Sequence, residues 1–500
     1  MKVPGCKVAC IKCGQLCTGV YFIGSARREV VVVRDALSTL AGPSNMDENK
    51  KKPMIPVPVS IISPSHQEIL PNKEASSSGQ NIEGISTVKD PGAALVDTTR
   101  PAPAANEANA EETEQSSAGT KPLRTCLPAP MTPAPSIFRL IMSAIGRDIM
   151  GMALPASVME PLGTLQVLCE QLEYSDLIDR ALTQSDPSLR MAYVGAFAMS
   201  RYSATAKRAG RKPFNPLLAE TYEFVHPTAG WRFVAEQVSH HPAISSCVAE
   251  GKGWRFWEDC EVVASLSANA VKATPVGLVH LRLEKLGETY VWNKVISQVT
   301  GIISGSYVID HFGEMIVSCK ETQLKCKLNF KRMANGRRGD VDGQVLNEKG
   351  KEQRRVHGNW TENFFVGSPK ESSPTRIWSL AALPKDYARY YGLSSFALGL
   401  NELRPELHGH LPPTDTRYRP DQRALEVGKV SEAEKLKKEL EEKQRRRRKM
   451  NEILKKQHTP LWFRPTGNTD PTTGPRWQFN DKYWIAKAAK FKDVEFIGLW

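Results

Sequence analysis

Three groups of residues in this chain have the types and spacing to do chemistry together. The first is the string Glu236-Gln237-Val238-Ser239-His240-His241-Pro242, which ends a strand-like run at 231–238. Neighbours on a strand point to opposite faces, but a turn at Pro242 lets both imidazoles leave the sheet and meet one ligand. Two rings near neutrality can donate two N–H groups to an anion without carrying a fixed charge. The second is Lys212-Pro213-Phe214-Asn215-Pro216-Leu217-Leu218-Ala219-Glu220, where prolines on both sides of Asn215 restrain the backbone. The third is Lys437, Glu441 and Arg445, which line one face of a helix at i, i+4 and i+8. A second register, Lys435, Glu439 and Lys443, is also open and lacks the arginine. Lysine, amide, imidazole and guanidinium are together a donor set for phosphate.

The motifs of catalysis are missing. The sequence has no G-x-S-x-G elbow, no P-loop and no H-E-x-x-H, and no nucleophile or carboxylate pair accompanies the histidines. A binding protein without a cofactor is therefore expected, not an enzyme. Cys6, Cys10, Cys13 and Cys17 are packed too tightly for a two-knuckle zinc site, so no metal is expected. Palmitoylation or a non-native leader ending before Met46 is the alternative for that cluster.

The elements that must hold these groups can be read from periodicity. Residues 1–130 lack sustained periodicity, and from Pro53 to Pro135 Pro, Ala, Ser, Asn and Glu dominate; such a stretch cannot bury enough apolar surface to fold, so 1–130 read as a disordered, low-complexity region. Ile137, Phe138, Ile141, Met142 and Ile145 recur at helical spacing in an amphipathic segment at about 136–152, either a core helix or a mobile lid. Helical patterns follow at about 161–184 and 188–207. From residue 219 the period changes to that of strands, at 220–226, 231–238, 254–257, 261–266, 277–283, 289–295, 315–319 and 324–330. Sequential strands with short connections predict an antiparallel meander that closes to remove its edges. After residue 360 the pattern becomes irregular. A charged helix is expected at 431–456, then a last packed segment with Trp462, Phe463, Trp477, Tyr483 and Trp484.

The charge balance, 67 basic against 54 acidic residues for a net +13, favours anionic partners. No groove-reading motif or stacking platform speaks for nucleic acid. No apolar run reaches the roughly 18 residues of a membrane-spanning helix.

Several strings, in order, resemble one family. They are EPLGTLQVLCEQLEYSDLIDRA (160–181), KPFNPLLAE (212–220), EQVSHHPAISSCVAE (236–250), YVWNKV (290–295), IDHFGEM (309–315), LNEL (400–403), PPTDTRYRPDQR (412–423) and LEEKQR (440–445). Residues from about 136 to 500 thereby resemble the lipid-binding domain of the oxysterol-binding-protein-related family. The nearest likeness is to the animal subgroup of related proteins three, six and seven. The resemblance implies a mainly β fold with α. A large, near-closed antiparallel barrel at about 212–360 would surround a lipid tunnel. N-terminal helices with a lid would precede it, and a C-terminal helical subdomain at about 361–500 would follow.

The same resemblance implies a cytosolic lipid-transfer protein that extracts phosphatidylinositol 4-phosphate and exchanges it for sterol or another lipid. Lys212, Asn215, His240, His241, Lys437, Glu441 and Arg445 would bind the headgroup, and the lid residues named above would close the tunnel. The protein would visit the endoplasmic reticulum, Golgi or plasma membrane peripherally and transiently. A sensor or scaffold with little transfer activity is the alternative, with a protein partner docked on the N-terminal tail. Neither the pleckstrin-homology domain nor the two-phenylalanine acidic motif of larger members is found in residues 1–135. The family's Leu-Gly-Glu reads Leu218-Ala219-Glu220 here, which strains the site if that position needs a positive φ.

Overall fold

The structure, a computed structural model, describes residues 123–133 and 154–500 apart from 209, 268 and 371, together with four two-residue strands near the N-terminus. The chain divides into two units, Met1–Ala110 and Glu111–Trp500. In the first, β1 (Val8–Ala9) pairs with β2 (Leu16–Cys17) and β3 (Phe22–Ile23) with β4 (Val30–Val31), both antiparallel. The segment at 136–152, with Ile137, Phe138, Ile141, Met142 and Ile145, lies outside the described residues, as do Met46 and all of the cysteine cluster except the backbone of Cys17.

The second unit is built on one 14-stranded sheet. Its strands are β7 (Thr221–Val225), β8 (Arg232–His240), β9 (Ala243–Gly251), β10 (Trp254–Ser267), β11 (Ala270–Val276), β12 (Leu278–Leu283) and β13 (Glu288–Asn293). They continue as β14 (Ile296–Thr300), β15 (Val308–Cys319), β16 (Leu324–Phe330), β17 (Asp340–Leu346), β18 (Glu352–Asn359), β19 (Asn363–Gly367) and β20 (Thr375–Ser379). Every pairing in it is antiparallel, and the path runs from β20 in order to β15, then β13, β12, β10, β9, β8 and β7. The long strands β10 and β15 each pair with three neighbours, and β11 and β14 bridge them on the side. The free edge of β7 is covered: Thr221 N–H donates to the Thr414 carbonyl at 3.0 Å, which shields an edge from other chains.

The sheet outlasts the stretch with a clear strand pattern, since β17–β20 carry it to Ser379. The expected strands at 254–257 and 261–266 are one strand, β10. Alternation marks β16, where Leu324, Cys326, Leu328 and Phe330 point inward. In β8 the alternation is lost because both faces are buried. Phe233 and Ala235 join the main core, while Val234 and Val238 pack with Trp462, Phe463 and Tyr483 of the C-terminal segment.

Helices pack with the sheet: α1 (Thr164–Glu170), α2 (Asp176–Leu182) and α3 (Pro187–Ser200). The α3 helix is buried around nearly its whole circumference and faces β15–β20, as a helix apolar on all sides must be. Gly195 allows the close approach, because a Cβ there would stand 3.0 Å from the Cys326 sulfur. The single helical pattern expected at 161–184 is broken. Met159–Gly163 forms strand β5, parallel to β6 (Lys212–Phe214), and only then does α1 begin. Residues 123–133, assigned by composition mostly to the polar N-terminal region, belong to the second unit. Leu127 is buried in its core and Arg124 Nε donates to the Leu398 carbonyl at 2.6 Å. Toward the C-terminus come α4 (Ser395–Gly399), α5 (Pro420–Glu426), the long α6 (Val430–Ile453), the hairpin β21 (Phe463–Pro465) and β22 (Trp477–Phe479), and α7 (Tyr483–Ala488).

Candidate functional site

The proline-flanked string enters the site as β6. Its partner β5 places Met159 opposite Lys212. Phe214 is fully buried with Ala156, Met159, Ala424, Leu425 and Ala433, and Leu217 packs on Leu440. The string is therefore clamped between β5 and α6, so Lys212 and Asn215 are held in place. The Lys212 ammonium donates to Asn215 Oδ1 and, at 3.2 Å, to the Pro213 carbonyl.

Beneath this string lies a buried ionic network. Arg419 Nη1 donates to the Asn215 carbonyl at 2.7 Å and to Glu220 Oε2 at 2.9 Å. Its Nε and Nη2 meet both oxygens of Asp421 at 2.8 and 3.0 Å. Glu220 also accepts from Leu217 N–H at 2.9 Å and Thr416 Oγ1 at 2.7 Å. The guanidinium lies over the Phe214 ring. Buried charges persist only when paired this completely. The segment 412–423 thus fixes the backbone of Asn215, a role that residue types alone did not assign.

Helix α6 presents a buried stripe of Ala433, Lys437 and Leu440. An ammonium in that stripe needs a partner, and Lys437 Nζ donates to Glu441 Oε1 at 2.5 Å. Lys435 is by contrast 77% exposed, so the Lys437 register faces the body of the protein. Arg445 is exposed, one turn beyond Glu441.

The histidines sit at the end of the β8–β9 ladder, where it turns as a hairpin. His240 is the last residue of β8 and pairs with Ala243, the first of β9, leaving His241-Pro242 as the turn, with a cis peptide bond between them. The ring centroids are 4.7 Å apart at 65°. Two residues of α6 orient the rings. Gln444 Oε1 accepts from Leu218 N–H at 2.8 Å, which directs the Gln444 amide nitrogen to His240 Nε2 at 2.9 Å. Arg448 Nη1 donates to His241 Nε2 at 2.7 Å. Both Nε2 atoms therefore accept, which leaves Nδ1 as the donor side of each ring. The His240 Nδ1 is buried without a hydrogen-bond partner, a donor ready for a ligand. Gln444 and Arg448 follow Lys437 at i+7 and i+11, so the helical periodicity could have found them.

The electrostatics agree with this grouping. Burial, then Lys437 and Arg419, push the Lys212 ammonium down to about 8, with Glu441 and Glu160 opposing. Burial, then His241 and Arg448, lower His240, again opposed by Glu441. Glu441 therefore neighbours both. The Lys212–Asn215 pair, the Lys437–Glu441 pair and the two histidines thus lie within electrostatic reach of one another, with an excess of cationic and N–H donors. Desolvated cations crowded together favour an incoming anion. Among the described residues no group of His, Cys, Asp and Glu could hold a metal ion.

The oxysterol-binding protein family model matches residues 136–488. The chain belongs to the oxysterol-binding protein family. Mouse oxysterol-binding protein-related protein 6 is 41% identical over 75% of this chain and 40% of its own length. Human related protein 7 is 41% identical over 76% of this chain and 45% of its own length. The chain thus spans about two-fifths of these family members. A crystal structure of the Osh1 lipid-binding domain with cholesterol matches at TM-score 0.68 and 33% identity, over 75% of this chain and 95% of that one. That of the Saccharomyces cerevisiae Osh3 domain with phosphatidylinositol 4-phosphate matches at TM-score 0.67 and 27% identity, over 76% of this chain and 99% of that one. Ala219, where the sequence resemblance expected glycine, takes φ +74° and is buried. An alanine is held in the left-handed region, at about 1–2 kcal/mol.

Proposed function

We propose that this protein binds phosphatidylinositol 4-phosphate by its headgroup at the site around Lys212 and His240, extracts it from membranes, and exchanges it for sterol or another lipid. It acts as a carrier and not as an enzyme. The observation that carries this reading is the convergence of six predicted residues from β6, the β8–β9 turn and α6, with the His240 Nδ1 donor unpartnered. The phosphate accepts from Lys212, Lys437 and the two imidazoles. Asn215 and Glu441, which hold the lysines meanwhile, are released to inositol hydroxyls. Arg445, exposed beside Glu441, reaches the same headgroup when its side chain swings inward. The apolar interior of the sheet shields acyl chains, at about 0.8 kcal/mol per buried CH2. Ligands of solved family members, cholesterol with Osh1 and phosphatidylinositol 4-phosphate with Osh3, support both halves of the exchange.

The deciding experiment is extraction from liposomes containing labelled phosphatidylinositol 4-phosphate, with sterol and phosphatidylserine in parallel. Wild type should extract the phosphoinositide, and the exchanged lipid should compete. His240→Ala with His241→Ala should abolish phosphoinositide extraction while the thermal transition persists. Undiminished extraction by the folded double variant would refute the headgroup assignment.

A further inference from the structure

Helix α6 changes character along its length. In its first half, charges alternate and pair along the helix, as Lys435 with Glu439, Lys438 with Glu434 and Lys437 with Glu441. From Lys443 to Lys456 the sequence KQRRRRKMNEILKK has a single acid, Glu452. That acid is spanned by Arg448 at 3.4 Å. Arg445, Arg446, Lys449, Lys455 and Lys456 are all exposed. Favourable interaction with a helix C-terminus explains cations in the last turn only, and this run begins well before it.

Apolar residues lie within the run. Met450, Ile453 and Leu454 stand at i, i+3 and i+4 and are 54, 75 and 64% exposed. The spacing puts them on one side of the helix end. Arg446, four residues before Met450, extends the same side, while Arg448 is turned about half a revolution away toward His241. The far end of α6 therefore presents an apolar ridge framed by cations, and its inward side completes the headgroup site.

We infer that the C-terminal end of α6 is a membrane-docking element, which seats Met450, Ile453 and Leu454 at the interface of an anionic bilayer with Arg446, Lys449, Lys455 and Lys456 on the lipid headgroups. A cationic run alone would suit RNA equally well, but large exposed aliphatic side chains gain nothing against a phosphate backbone. They gain from the headgroup–acyl boundary, as in interfacial amphipathic helices. Each cation brought to an anionic leaflet strengthens binding by about fivefold. The inference extends the proposed lipid exchange, because it couples membrane docking to the helix that carries Lys437, Glu441 and Gln444.

The test uses the full chain and flotation with vesicles of phosphatidylcholine and phosphatidylserine, without phosphoinositide. Wild type should float, and raised salt should weaken but not abolish it, since only the ionic part is screened. I453S/L454S, at exposed positions that leave the fold intact, should float about tenfold less. H240A/H241A should float as wild type, which separates docking from headgroup binding. Anionic vesicles should also slow trypsin cleavage at Arg445–Lys456 in wild type and not in I453S/L454S. Undiminished flotation of the serine variant would overturn the inference. So would an RNA oligonucleotide, and not vesicles, protecting these sites from trypsin. If flotation follows the serine variant but no phosphoinositide is extracted, the proposed exchange fails and the docking element stands.

Discussion

Replacing Arg419 by methionine tests whether the buried network beneath the Lys212–Asn215 string holds the site. Arg419 is 2% exposed by side chain, and its partners Glu220 and Asp421 are at 0%. The substitution keeps a straight aliphatic chain over Phe214 but removes every hydrogen bond to the two carboxylates and to the Asn215 carbonyl. Breaking a buried pair from one side costs about 3–5 kcal/mol, because the remaining charges stay desolvated. Glu220 keeps Leu217 N–H and Thr416 Oγ1, which puts the expectation at about the lower end of that range. Burial already raises the Glu220 pKa, and Arg419 is the leading influence lowering it. Without the arginine the folded-state value climbs further above the unfolded one. A carboxyl so raised contributes stability when protonated and loses it as pH rises through the folded value. The defect of R419M should therefore shrink as pH falls from neutral toward the ordinary glutamate range. Adding Glu220→Gln should recover about 1 kcal/mol or more at neutral pH. Urea denaturation of the three proteins across pH measures all of this. A loss below about 1 kcal/mol, or a defect independent of pH, would refute the claim that this network is the support of the site.

Three further outcomes are expected. Ala219→Gly should be nearly neutral in urea denaturation: it relieves about 1–2 kcal/mol of left-handed strain but gives up about 0.8 kcal/mol of buried methyl and about 0.5–1 kcal/mol of backbone entropy. Ala196→Gly, inside α3, lacks the compensating relief and should cost about 1.5 kcal/mol or more; equal losses at both positions would contradict the strain at Ala219. Affinity for a soluble inositol-phosphate headgroup, followed by calorimetry, should hold up to about pH 8 and fall above it. There the free protein loses the Lys212 proton that the bound phosphate requires, and Lys212→Arg should flatten that fall. Gln444→Leu strips a partner from Leu218 N–H and from His240 Nε2. It should cost about 1–3 kcal/mol of stability and weaken headgroup binding through misplacement of His240, whereas unchanged binding would make Gln444 a mere packing residue.

Much of the architecture was legible because it rests on local period. The change from helical to alternating spacing at residue 219 located the first sheet strands, and the alternation of β16 survives in the fold because one of its faces is buried. Where both faces are covered, or where strands carry polar residues, the signal fades. That is why β9, β11, β14 and β17–β20 escaped notice, and why β10 read as two strands. The parallel pairing of β5 with β6 could not be read locally, since its partners stand some fifty residues apart and short strands carry little pattern.

For the site, the sequence by itself determined the inventory: a lysine and an amide between prolines, two adjacent imidazoles, and a Lys-Glu-Arg face on a charged helix. Residue type fixes donor capacity, and helical spacing fixes which side chains share a face. Only the tertiary structure decided that α6 lies across the β8–β9 turn and the β6 string, that Lys437 and not Lys435 turns inward, and that Gln444 and Arg448 set the histidine tautomers. Those outcomes depend on contacts between residues two hundred positions apart, such as Gln444 with His240. Such contacts follow from how the apolar stripe of Ala433 and Leu440 packs on Phe214 and Leu217, and no local period in the chain records them.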